Sequence, residues 1–345
     1  MTRYKHAALS TLCSFAYTIT ALSSLVLANY AEADPKESCF FRDSNGVEYV
    51  THDKSAIPQP FRATARCVSG AQDRYLAPPD EVALKGNIRE QSISTPLGRM
   101  NLRWPRSVEK LFGRTPERAL VDAAQAVSRA LKSQGFPLNV QQLSQSWNVV
   151  FMDETLPTTQ IPYSLISNCH PAWMTPPANL YVVSQRVVAG CGGSSGSSQV
   201  NDAQLAQILV HEIGHAIEHQ LLEGAPLSDR MRAEGFASWF EQYGSDYSSA
   251  VSGGRAEKRY GALAFVSFQS DPHGFRFDGS AHDYARASMY FHAVVEKIGV
   301  RGLMDIYAMM THEKINFTQA IKKRLGWDEK KLNEQGRSVA ERLVR

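Results

Sequence analysis

The chain has 345 residues, 43% of them hydrophobic and 21% charged, the profile of an ordinary globular protein with enough apolar content for a sizeable core. A formal net charge of +3 is too small to argue for nucleic acid as a partner. No internal repeat is present.

Arg3 and Lys5 precede an uncharged run from Ala7 to Ala28, and Ala31-Glu32-Ala33 offers a signal-peptidase site before Asp34. Residues 1–33 are therefore expected to be an export signal, placing the protein in the periplasm or outside the cell. The alternative is an uncleaved anchor formed by residues 7–28, the only membrane association the sequence suggests. Cys39, Cys67, Cys169 and Cys191 lie beyond this signal. Three disulfide connectivities are open, and the local pairs Cys39 with Cys67 and Cys169 with Cys191 are the expected ones. Each would restrain a loop worth about 3 to 4 kcal/mol in the chain-entropy account.

From Cys39 to Cys67, Asp43-Ser44-Asn45-Gly46 forms a turn between Phe40-Phe41-Arg42 and Val47-Glu48-Tyr49-Val50, which predicts a hairpin. This stretch resembles a short N-terminal domain of unknown function found in many exported bacterial proteins. Residues 34–77 are read as this small β module and 78–92, with Pro78-Pro79, as a linker. A second domain is expected over 93–345. In it, Leu97–Trp104 alternates as a strand does, and Arg118–Gln134 is an amphipathic helix closed by Gly135. Trp147–Met152 and Asn179–Val183 read as further strands, with residues 179–188 as the sheet edge bordering a cleft. Gly192–Ser198 reads as a loop, either at the mouth of that cleft or a plain linker.

The most informative stretch is Val200–Gly224. Asn201, with Gln204 three positions on, can cap a helix that Gly224 stops. His211 and His215, four apart, fall on one helical face about 6 Å apart, so two imidazoles can share one metal ion. Glu212 lies beside them, where it can take a proton from water. A catalytic zinc needs a third protein ligand. Leu221 occupies the position of a third histidine in one common spacing, which leaves Glu234, separated from His215 by eighteen intervening residues and on a helix able to turn back. Two imidazoles and a carboxylate suit zinc best. His219, Ser238 and Glu241 are further candidates near this site, each equally readable as an ordinary helix residue.

His211-Glu212-Ile213-Gly214-His215 with Glu234-Gly235-Phe236-Ala237-Ser238 resembles the gluzincin metallopeptidases, and most closely the zinc aminopeptidase family. A third segment, Tyr284 to Gly299, is similar to that family's helix headed by a tyrosine, with Arg286 as its basic residue two positions on. The resemblance implies an α+β, zincin-like domain: a small mixed sheet, an active-site helix and a helical C-terminal half. It also implies a peptide or protein substrate and an oxyanion-stabilising role for Tyr284. His273 and His282 are the alternatives for that role. The family's Gly-Ala-Met-Glu-Asn type segment has no counterpart in residues 160–200, so exopeptidase specificity is not carried over. A binding or scaffolding protein with a structural metal site is the competing expectation.

Residues 244–283 are too rich in Gly, Ser, Asp and His to assign. Helices are expected over Tyr284–Ile298, Val300–Thr311, Phe317–Leu325 and Asp328–Leu343, with a basic, solvated surface.

Overall fold

A computed structural model of the chain describes residues 37–42, 48–51, 57, 59–62, 65–69, 84, 87–112, 116–133, 136, 143, 146–152, 171–189, 202–225, 229–247, 253–272, 277 and 280–345. The chain divides into two compact units, Met1–Gln72 and Asp73–Arg345.

In the first unit β1 (Glu37–Arg42), β2 (Glu48–Thr51) and β3 (Arg66–Ser69) form an antiparallel sheet in the order β2-β1-β3. The expected hairpin is the β1–β2 pair, with Phe41 opposite Tyr49; its turn lies outside the described residues. The β1–β3 register sets Cys39 opposite Cys67, while the side chains of that pair, and all of Cys169 and Cys191, lie outside what is described.

The second unit is built on a five-stranded mixed sheet in the order β4-β5-β6-β8-β7. Its strands are β4 (Ile88–Thr95), β5 (Gly98–Pro105), β6 (Trp147–Met152), β7 (Ala172–Thr175) and β8 (Asn179–Val183). β5, β6 and β8 run parallel, and β4 and β7 close the two sides antiparallel. β8 is therefore an interior strand, and β7 is the edge that the sequence had suggested for 179–188. β4 begins at Ile88, inside the stretch read as linker. Both faces of the central strands are buried. Val149, Phe151, Leu180 and Val182 join the main core, whereas Val150, Met152, Tyr181 and Val183 form a second cluster with Trp173. That two-sided burial explains why these strands read as unbroken apolar runs.

Helices α1 (Glu109–Phe112), α2 (Glu117–Ser133) and α3 (Ser184–Ala189) flank the sheet sequence, and α2 buries one stripe through Leu120, Ala123, Ala124, Val127 and Leu131. The described residues beyond α3 are mainly helical: α4 (Asp202–Leu221), α5 (Arg230–Ser245), α6 (Gly253–Ser270), α7 (Ala281–Glu313), α8 (Phe317–Leu325) and α9 (Glu329–Val344). α4 packs against α2, α5 and the edge strand β7. α6 falls in the region left unassigned, and its signal is a stripe spaced by four, Ala256, Tyr260, Ala264 and Phe268, all buried.

Gly299, expected to close a helix, does so inside α7: at φ 72° and ψ 172° it bends the backbone between two helical segments. That combination is open to glycine almost alone. α8 and α9 start on side-chain caps, Asn316 in a full capping box and Asp328 on the Lys331 N–H.

Candidate metal centre

α4 ends as its sequence requires: Glu223 and Gly224 take positive φ, and the Gly224 N–H bonds back to the His219 carbonyl at 2.9 Å. Its expected cap, Asn201, lies outside the described residues. α5 starts on Asp229, whose side chain accepts the Arg232 N–H at 3.0 Å. The two helices then run antiparallel, as successive contacts show: His215 meets Glu234, Gly214 meets Ala237, and His211 meets Glu241. Gly214 permits the close approach, since a Cβ there would stand 3.2 Å from the Ala237 Cα.

This hairpin brings together His211, His215 and Glu234, the one group of potential metal ligands among the described residues. Glu234 Oε2 lies 3.3 Å from the Nε2 atoms of both histidines. A tetrahedral ion with bonds of about 2.0 to 2.1 Å would have ligand-to-ligand edges of about 3.3 to 3.4 Å. The donor set thus fits zinc in type, and both carboxylate-to-imidazole edges match that spacing.

The electrostatics favour a cation at the same point. Burial opposes ionisation of Glu234, but His215 and His211 outweigh it and hold the carboxyl well below the usual carboxylate range. Burial likewise opposes a charge on His211, yet hydrogen bonds to Glu234 and Glu241 raise its pKa well above the ordinary value. A site that holds a proton this strongly between carboxylates is one that a metal ion can occupy instead.

His211 Nδ1 is 3.2 Å from Glu241 Oε2. Glu241 is itself only 5% exposed and accepts from Gln207 Nε2 on α4 and from the Tyr260 hydroxyl on α6. Such a carboxylate fixes the tautomer that leaves Nε2 free to ligate. The sequence named Glu241 without separating this role from a surface one; Gln207 and Tyr260 were missed. His215 Nδ1, by contrast, is buried with no hydrogen-bond partner among the described residues.

Glu212 is buried beside the cluster. Burial raises its carboxyl pKa, with Glu234 and Glu241 adding to the shift and the two histidines reducing it. Tyr284, in the first turn of α7, stacks beside His211 with ring centroids 6.1 Å apart, and the tilted Phe277 ring has its centroid 5.5 Å from that of Tyr284. Ser280 caps that turn by accepting the Asp283 N–H. Of the alternatives, His282 sits half-buried in the same turn and His273 is outside the described residues. Ser238 is buried on α5. His219 turns to the end of α4, with Nδ1 3.3 Å from the Ala225 carbonyl. Arg286 serves packing: fully buried, it donates to Tyr290, Asn333 and the Asp271 carbonyl and lies over Phe268.

No family model matches the sequence, and no curated protein matches it either. Among solved structures, the M1 zinc metallopeptidase from Deinococcus radiodurans superimposes with a TM-score of 0.41 at 10% identity, over 90% of this chain and 61% of that one. The aminopeptidase N family protein from Idiomarina loihiensis gives 0.36 at 9% identity, over 90% and 48%. The chain thus spans about three fifths of the former's length and about half of the latter's.

Proposed function

We propose that the protein is an exported, zinc-dependent metallopeptidase. The convergence of His211, His215 and Glu234 on a spacing that fits one ion, with the buried carboxylate of Glu212 beside it, carries this proposal. A purely structural metal site has no use for that carboxylate.

Held by His211, His215 and Glu234, zinc would supply a Lewis acid for a carbonyl and lower the pKa of water towards about 7. Glu212 then takes the proton of the attacking water, a task suited to a carboxylate whose burial has raised its proton affinity. The same group returns that proton to the departing amine. An amide is the bond that needs both acts, because its nitrogen leaves only when protonated. Glu241 keeps the His211 ring oriented throughout. Tyr284, beside His211, is the donor assigned to the oxygen on which charge develops.

Glu212→Gln tests the assignment: zinc content should stay as in the wild type while hydrolysis of a peptide library falls by about 10²- to 10⁴-fold. Undiminished turnover would refute the role of Glu212. Export is supported by the pattern of residues 1–33, and a mature N-terminus near Asp34, read by N-terminal sequencing of the secreted or periplasmic protein, is the expected result. An intact N-terminus in the membrane fraction would show an anchor instead.

A further inference from the structure

The α4/α5 hairpin carries a polar rung that the chemistry above does not use. Glu218, three positions beyond His215, is fully buried and accepts from Arg232 Nε at 2.8 Å and from the Tyr307 hydroxyl at 2.6 Å. Arg232 is 6% exposed and stands two residues before Glu234 on α5. Tyr307, also fully buried, comes from α7 beyond the Gly299 bend.

A buried ion pair is poor at stabilising a fold, because removing two charges from water offsets most of their attraction; apolar residues of similar volume are often as good or better. This pair is also incompletely satisfied. Glu218 Oε2 and Arg232 Nη2 are both buried with no hydrogen-bond partner among the described residues, and each such atom carries a cost. What a pair of this kind does well is select one alignment, since any slip of the helices strands both charges.

The position of the rung makes that alignment matter. From the loop outward, the hairpin matches Glu218 with Arg232, His215 with Glu234, Gly214 with Ala237, and His211 with Glu241. A helix advances about 1.5 Å per residue, so a slip of even one position would move Glu234 Oε2 out of its place between the two Nε2 atoms.

We propose that Glu218, Arg232 and Tyr307 form a positioning unit that sets the register of α5 on α4 and thereby tunes the affinity of the metal centre. The proposal rests on the metal-site assignment above. It is tested with the full chain in four forms: wild type, Tyr307→Phe, Arg232→Lys, and the triple variant Glu218→Leu/Arg232→Met/Tyr307→Phe. Two quantities are measured for each, zinc affinity by competition with a chelator and the thermal midpoint of the zinc-free protein.

The triple variant, its rung now apolar, should keep or raise the zinc-free midpoint while losing about 10- to 100-fold in zinc affinity, the range seen when groups supporting a ligand are removed. Tyr307→Phe keeps the ion pair and should lose only a few-fold. Arg232→Lys retains the charge and should stay within a few-fold of wild type. Unchanged zinc affinity in Tyr307→Phe and in the folded triple variant would overturn the inference, as would affinities that merely track the zinc-free midpoints. Wild-type protein that binds no zinc would overturn the metal-site assignment itself, a result distinct from either.

Discussion

Glu241 decides what kind of ligand His211 can be. With its carboxylate on Nδ1 and two further donors holding that carboxylate still, the imidazole has one tautomer and one orientation. Glu241→Ala should lower zinc affinity by about 10- to 100-fold, measured by chelator competition, and the loss should exceed that of a neutral substitution elsewhere on α5. His211, Glu212 and His215 were legible because a helix fixes the relation of residues four apart without help from the rest of the fold. Glu241 was not, because its meaning depends on which face of α5 meets α4. Arg286 shows the reverse case: its place after Tyr284 matched a motif, yet the side chain is buried among α6, α7 and α9.

Among the elements, the α4/α5 hairpin depends on how closely its backbones approach. Gly214→Ala would press a methyl group to 3.2 Å from the Ala237 Cα and 3.5 Å from the Phe240 side chain. Backbone cannot yield as a flexible side-chain end does, so the variant should lose about 1 to 3 kcal/mol of stability in denaturant unfolding, and zinc affinity should fall with it. The hairpin itself could be read from the spacing between His215 and Glu234. The sheet order could not. β4 is mostly solvent-facing, with one buried residue, Ile93, and so lacks the apolar alternation that marks a strand. β7 is only four residues long, and periodicity cannot tell that it, rather than β8, lies outermost. α6 was hidden by its polar exposed face, although the four-residue spacing of its buried stripe was present in the sequence.

Taken whole, the molecule carries a pH dependence that lies away from the metal site. His292 on α7 donates from Nε2 to Gln242 Oε1 at 2.8 Å, and burial lowers its pKa from 6.5 to about 4. Between those values the unfolded chain binds a proton that the folded chain refuses, so stability rises with pH across this window and is lost as pH falls through it. The contribution is on the order of 2 kcal/mol. Denaturant unfolding at pH 7 and pH 4.5 should therefore show a smaller difference for His292→Asn than for wild type, and an equal difference would remove His292 as a cause.

The bend at Gly299 has its own bearing on how this sequence can vary. One continuous segment reaches the rim of the metal centre with Tyr284 and the floor of the hairpin with Tyr307, and it can do both only because the chain turns between them. A conformation open to glycine almost alone thus becomes a restriction on the genetic alphabet at one codon. Position 299 touches neither the ligands nor the core, and no side chain is needed there. A substitution there would nonetheless be strained by the backbone alone, and its effects would surface at both ends of the helix at once.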